Sequence, residues 1–308
     1  MNNIIVTGGA GFIGSHLTGR LVREGYKVTV IDNLSTGKLE KIEDLISDKK
    51  IEFVQGSITE LPLLQKVLHS ADTVFHLAAI ASVPRSIDDP VTSHEVNATG
   101  TLNVLIAARD NGIDKVVFSS SSSVYGDTPV MPKEESMFPE PLSPYAVSKL
   151  TGEYYCQVFS QVYGLATACL RYFNVFGPGQ DPNSQYAAVI PKFITSCLIG
   201  QPPVIFGDGE QTRDFTFVAD VVQANLMAAD DKVRGVYNIS RGESITINRL
   251  ADLIIELTES STKPIHKEPR PGDIMHSLAD ISRALSFGYK TKYDLKTGLA
   301  ETVKSFKN

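Results

Sequence analysis

The chain has 308 residues, 42% of them hydrophobic, with 29 Lys and Arg against 35 Asp and Glu for a net charge of −6. That apolar share supports a large core and excludes a disordered chain. The acidic balance argues against a general nucleic-acid or membrane-surface binder, because no broad positive field draws in phosphates. In chain order, Ile4 to Thr7 reads as a strand, Ile13 to Glu24 as a helix, and Lys27 to Ile31 and Glu52 to Gln55 as strands. Pro62 to His69 looks helical, Thr73 to Leu77 extended, and Val91 to Asn111 like one long amphipathic helix. A strand at Lys115 to Ser119, a helix at Tyr145 to Tyr163 and a strand at Ala166 to Arg171 follow. Such alternation predicts an α/β fold, a Rossmann-type parallel sheet with helices on both faces.

After Asn174 the pattern loosens. Val189 to Leu198, Val218 to Ala229 and Asn248 to Leu257 read as helices, Pro202 to Phe206 and Val236 to Ile239 as extended pieces. We read this as a smaller C-terminal substrate-binding domain whose chain crosses back to the main sheet around Phe215 to Ser240. The expected division is 1–174 with 214–240 against 175–213 with 241–308. Three widely spaced cysteines, Cys156, Cys169 and Cys197, imply no disulfide framework, and no His/Cys cluster implies a metal. With no leader pattern and no bilayer-length apolar run, the cytoplasm is the expected location.

Between the first strand and first helix lies Thr7-Gly8-Gly9-Ala10-Gly11-Phe12-Ile13-Gly14. Glycines at that junction allow a tight turn, close approach of a pyrophosphate and close helix–strand packing, while the helix N-terminus offers free N–H groups. Asp32 ends the second strand, where a carboxylate can accept from adenosine ribose hydroxyls and repel a 2′-phosphate. No arginine follows in Asn33-Leu34-Ser35-Thr36-Gly37, so NAD is expected rather than NADP. Tyr145 and Lys149 stand four apart at a helix start, on one face, with Ser143 as cap and Pro144 in the first turn. A tyrosine is a poor base at its usual pKa of about 10, and a neighbouring ammonium favours the phenolate.

The Tyr145-Ala146-Val147-Ser148-Lys149 motif comes with a serine run ahead of Tyr125-Gly126, and with Leu77-Ala78-Ala79 after the fourth strand. Arg171-Tyr172-Phe173-Asn174-Val175-Phe176-Gly177-Pro178-Gly179, Arg213-Asp214-Phe215 and Arg270-Pro271-Gly272-Asp273 complete the set. Over nearly its whole length the chain resembles the extended short-chain dehydrogenases, and among them the UDP-hexose 4-epimerases. The resemblance implies a cofactor site that includes Gly8, Gly11, Phe12, Ile13, Gly14 and Asp32, with Asn33, Ser35, Thr36 and Gly37 in the following turn. It adds Ser57, Ile58, Leu77, Ala78 and Ala79, then Ser119, Tyr145, Lys149, Tyr172 and Val175.

Related sugar-nucleotide dehydratases carry Thr-Asp-Glu where this chain has Ser121-Ser122-Ser123, and decarboxylases carry Thr-Ser-Glu. Hydroxyls can relay a proton but cannot easily drive β-elimination, which leaves oxidation and re-reduction at one carbon. The resemblance implies catalysis by Tyr145, Lys149, Ser121 and Ser122, with a 4-keto sugar that turns over while its nucleotide stays fixed. Arg213 and Arg270 are candidates for the diphosphate. Asn174, Val189 and Lys192 match the family's nucleotide-contact segment, Asp273 its ribose contact, and Ser82 and Arg85 are candidates for the hexose. The position that limits the sugar pocket in the family is Ser277 here, small enough for a 2-acetamido group, so UDP-GlcNAc/UDP-GalNAc is the expected pair, with UDP-Glc/UDP-Gal beside it. Two other readings stay open: a UDP-glucuronate 4-epimerase that grips its carboxylate through Arg85, and a non-catalytic NAD-binding scaffold. The helices at 91–111 and 145–163 match those through which the family forms homodimers as a four-helix bundle, with Leu102, Ile106 and Phe159 as candidate outer-face residues. No nucleic-acid or membrane partner is expected.

Overall fold

The structure is a computed structural model that describes residues 2–181, 188–269 and 274–307. Six strands rich in β-branched residues, β1 (Asn3–Thr7), β2 (Lys27–Asp32), β3 (Ile51–Gln55), β4 (Thr73–His76), β5 (Lys115–Ser121) and β6 (Ala166–Tyr172), form most of one sheet. A seventh strand, Gly235–Ile239, pairs with β6, and the spatial order runs Gly235–Ile239, β6, β5, β4, β1, β2, β3. Every neighbouring pair is parallel. Both faces are therefore buried, and β6 reads as an unbroken buried run. This is the expected Rossmann-type arrangement. Its order reverses between β1 and β4, so their carboxyl ends open the crevice in which such sheets bind ligands.

One face packs on helices Phe12–Arg23 and Val218–Ala228 through Leu17, Leu21, Val221 and Val222. The other face packs on Leu61–Val67, Gly100–Asp110 and Pro144–Tyr163 through Leu64, Val104, Leu105, Cys156 and Phe159. A third core, centred on Ile194, Leu250, Ile254 and Leu299, holds together helices Val189–Leu198, Ile247–Thr258 and Leu295–Lys307. Among the described residues no helix is long and apolar enough to cross a membrane.

The expected long helix from Val91 to Asn111 is present, running from Pro90 to Asp110, but it contains an irregular turn. Pro90–His94 and Gly100–Asp110 are α-helical, and Glu95–Thr99 between them is a π-helical turn. The wider turn frees Asn97 for contacts a straight helix would not allow. Its side chain takes the Ile80 N–H at 2.8 Å and donates to the Ile80 carbonyl at 3.2 Å and to the Ser148 hydroxyl at 3.1 Å. Periodicity also gave no sign of the short helices Glu43–Ser47 and Val83–Asp88. Phe159 lies within the second core, while Leu102 and Ile106 pack against it and stay half-buried.

Candidate active site

The glycine turn leads from β1 into a helix whose N-terminus has no side-chain cap. A Cβ on Gly8, held at φ +73°, would lie 2.7 Å from the Ala78 nitrogen, and one on Gly14 would lie 2.1 Å from the Gly8 carbonyl oxygen. Those two glycines let strand, turn and helix close on one another. Gly11 differs, since a Cβ there would meet only the Gly8 carbonyl at 3.1 Å and otherwise open space. Asp32, 8% exposed, accepts from the Ala10 and Leu34 nitrogens at 3.0 and 2.8 Å. Backbone amides thus fix a carboxylate at the carboxyl end of β2, beside the turn.

Three cavities adjoin here through shared lining residues. The first runs past Asp32, Asn33, Ser35, Thr36 and Gly37, then Ser57, Ile58, Leu77, Ala78 and Ala79. It shares Gly8 and Gly11 with a central chamber of about 520 Å³. Phe12, Ile13 and Gly14 line that chamber on one side, with Ser119, Tyr172 and Val175. Ser121, Ser122, Tyr145, Lys149 and Ser277 line the rest of it. Asn174, Val175 and Arg213 form the wall it shares with a third cavity of about 300 Å³, which Val189 also lines. A dinucleotide fits the first cavity and the adjoining floor of the second: glycine backbone where phosphates need close approach, an uncapped helix end, and a fixed acid at the ribose position.

Tyr145 enters the chamber from the first turn of Pro144–Tyr163. Ser143 caps that turn by accepting from the Ala146 nitrogen at 3.1 Å, and the Tyr145 N–H donates to the Ser86 hydroxyl at 3.0 Å. Burial pushes the Tyr145 phenol above its usual pKa, and a hydrogen bond with Ser121 works against that. Lys149 is buried, donates to the Ser119 carbonyl at 2.8 Å, and its nitrogen lies 6.0 Å from the Tyr145 ring centre. Desolvation pulls its ammonium down to about 8, opposed by Cys156 and Glu153. His76 behaves as a core residue. It sits between the Thr7 and Thr101 hydroxyls at 2.8 and 2.9 Å, and burial, with Lys149 adding, holds it neutral with a pKa of about 3.

Several expected contacts lie elsewhere. Ser82 does not line the chamber; its hydroxyl caps the helix Val83–Asp88 by accepting from the Arg85 nitrogen at 3.2 Å. Arg85 is exposed on that helix and is not among the residues that line the chamber. Lys192, in the first turn of Val189–Leu198, lines neither large cavity, although Val189 and Phe193 line the third. Arg270 and Asp273 fall outside the described residues. The sequence reading missed Lys133, which is buried on the chamber wall and donates to the carbonyl and hydroxyl of Thr128. It also missed Asn97 and Ser86, which hold the Tyr145 helix from behind. The Ser-rich and Tyr/Lys motifs carried a pattern, whereas these three sit singly in segments with none.

Residues 4–240 match the sequence profile of the NAD dependent epimerase/dehydratase family. The UDP-glucose 4-epimerase of Mycolicibacterium smegmatis is 38% identical over 308 residues, covering 99% of this chain and 98% of that protein. Among solved structures, the UDP-N-acetylglucosamine 4-epimerase of Methanobrevibacter ruminantium M1 in complex with UDP-N-acetylmuramic acid superposes with a TM-score of 0.96 at 47% identity, over 99% of this chain and 98% of that one. The Thermus thermophilus UDP-glucose 4-epimerase complex with NAD gives 0.91 at 36% identity, over 99% of both chains. With that match spanning the whole sheet, and a cradle shaped for its cofactor, the chain belongs to the NAD-dependent epimerase/dehydratase family of enzymes.

Proposed function

We propose that this protein is an NAD-dependent isomerase that inverts C4 of UDP-hexoses, interconverting UDP-GlcNAc and UDP-GalNAc and also UDP-Glc and UDP-Gal. One observation carries the reading: among the described residues the central chamber presents tyrosines, serines and lysines, with Arg213 and His276, but no Asp or Glu. Elimination of water across two carbons needs an acid and a base. Reversible oxidation at one carbon needs a single proton carrier beside a hydride carrier. Bound NAD supplies reversible uptake and return of one hydride at C4.

The protein's own residues do the rest. Tyr145 takes the 4-hydroxyl proton, directly or through Ser121, and returns it when the ring has turned. Ser122 hydrogen-bonds the sugar. The Lys149 ammonium stabilises the phenolate and, through the Ser119 carbonyl, stays fixed to β5. Asn174, Val189 and Arg213 hold the UDP moiety in the third cavity, and the roomier chamber leaves a pyranose free to rotate. In this scheme residues 1–174 with 214–240 hold the dinucleotide, and 175–213 with 241–308 hold the nucleotide sugar. Ser277 on the chamber wall leaves space for a 2-acetamido group.

The uronate alternative depended on Arg85, which is not among the residues lining the chamber; of the two lysines that do line it, Lys133 is engaged by Thr128 and Lys149 by the Ser119 carbonyl. Purified protein, without added cofactor, is incubated in turn with UDP-GlcNAc, UDP-Glc and UDP-GlcA, and the C4 epimers are resolved by NMR. Both neutral sugars are expected to equilibrate. Turnover of UDP-GlcA alone, or of none, would overturn the proposal. Ser277→Tyr is expected to slow the N-acetylated pair by about 10-fold or more relative to the plain hexoses.

A further inference from the structure

Beneath the chamber floor lies a group the scheme above does not use. Glu153 stands one helical turn beyond Lys149 and is 3% exposed. Its carboxylate accepts from the Ser120 hydroxyl on β5 and, in a two-bond fork, from Arg171 on β6, at 2.9 Å from Nε and 2.7 Å from Nη2. Ser120 lies between Ser119, whose carbonyl takes the Lys149 ammonium, and Ser121, which hydrogen-bonds Tyr145. We propose that Glu153 is a positioning residue for the proton transfer, clamping the Tyr145 helix to β5 and β6 and keeping Lys149 charged beneath the phenol. The inference rests on the role given to Lys149 above.

The groups around Lys149 make the carboxylate count. Tyr145, Cys156 and Glu153 face it from its own helix, and the Ser119 carbonyl and the Phe118 ring, 5.0 Å from its nitrogen, face it from β5. His76 on β4 is neutral there and adds no negative charge. From β6, Cys169 touches Cys156, and Arg171 pairs with Glu153 and stacks 4.7 Å over the Tyr125 ring. Glu153 is the carboxylate that faces Lys149 from its own helix, one turn on. It opposes the burial that strips the proton from the amine. A mere helix-to-sheet staple would hold geometry and leave that proton equilibrium unmoved.

The test follows Lys149 itself. In protein labelled with ε-13C-lysine, the Lys149 resonance is identified by its loss in Lys149→Met and titrated by NMR in the holoenzyme. Because Glu153→Gln alone leaves a buried guanidinium unpaired and can unfold the chain, the decisive protein is the neutral pair Glu153→Gln/Arg171→Met, with Glu153→Asp as the conservative control. The neutral pair is expected to lower the Lys149 pKa by about one unit and to move the alkaline fall in kcat down by the same amount, with KM for the UDP-sugar within about twofold. Glu153→Asp is expected to restore both. An unchanged Lys149 titration in the folded double variant, or a fall in kcat that is uniform across pH, would overturn the proposal. If the wild-type protein turns over no UDP-hexose, the functional reading fails, and the titration still decides the role of Glu153.

Discussion

Burial works against the chemistry assigned to Tyr145, since an apolar setting favours the neutral phenol. The Ser121 hydroxyl beside it works against that, and removing the phenol oxygen removes the proposed proton carrier and little else. Tyr145→Phe is expected to cut epimerisation by about 10²–10⁴-fold while the dinucleotide released on denaturation stays stoichiometric. That result would also dispose of the scaffold reading, in which Tyr145 has no task. A second buried group makes a prediction about stability. Asp214, fully buried, is pushed up from 3.8 to about 6, first by burial, against hydrogen bonds from Ser240 and the Ala279 and Arg241 backbone. With the folded value above the unfolded one, its favourable contribution is complete below 3.8 and is lost as pH rises through about 6. Asp214→Asn should therefore melt higher than the parent at neutral pH, with the difference vanishing in acid; scanning calorimetry across pH checks it. The Tyr145/Lys149 pair was legible in the sequence because a spacing of four fixes a shared helix face whatever the packing. Ser82 and Arg85 were not. Ser82 precedes Val83-Pro84 and is drawn into capping a six-residue helix that carried no periodic signal.

The element that departs most from its pattern is the helix that widens into a π-helical turn at Glu95–Thr99. Apolar spacing on either side continues through it, so periodicity alone reads one helix. The wide turn is decided by Asn97, whose amide finds better partners in the Ile80 backbone and Ser148 than a regular turn would give it. Ser148 in turn donates to the Tyr145 carbonyl at 2.7 Å, so the irregular turn braces the first turn of the Tyr145 helix. Asn97→Leu leaves those backbone groups unpaired in a buried site and is expected to cost about 2–4 kcal/mol in urea unfolding. The strands were more legible than the helices, because parallel strands buried on both faces have no alternation to be misread, only continuous β-branched runs and turn punctuation. Short capped helices and the three small two-stranded sheets outside the main one depend on tertiary contacts that no local window contains.

At the scale of the whole molecule, the fold class, the sheet and the cofactor cradle could be read in advance, while the shape of the chamber could not, because its walls come from segments far apart in the chain. The surface adds to the half-buried candidates Leu102 and Ile106 what the buried Phe159 does not. Tyr154, Val158 and Val162, spaced by four along Pro144–Tyr163, are 52%, 47% and 66% exposed and form an unpartnered apolar stripe. We propose that two copies pair through this helix as a four-helix bundle. Sedimentation velocity is expected to give a dimer, and Val158→Glu to shift it towards monomer at micromolar concentration. The route of the chain has one more consequence. The edge beside β6 is filled by Gly235–Ile239, which is reached only after the excursion through the third core. During synthesis from the N-terminus, the segment ending at Tyr172 therefore emerges with a fully buried strand still lacking its neighbour. A nascent chain halted before residue 235 would carry an open, adhesive border, and translation pauses or premature stops in that interval should end in aggregates rather than in a free-standing dinucleotide-binding half.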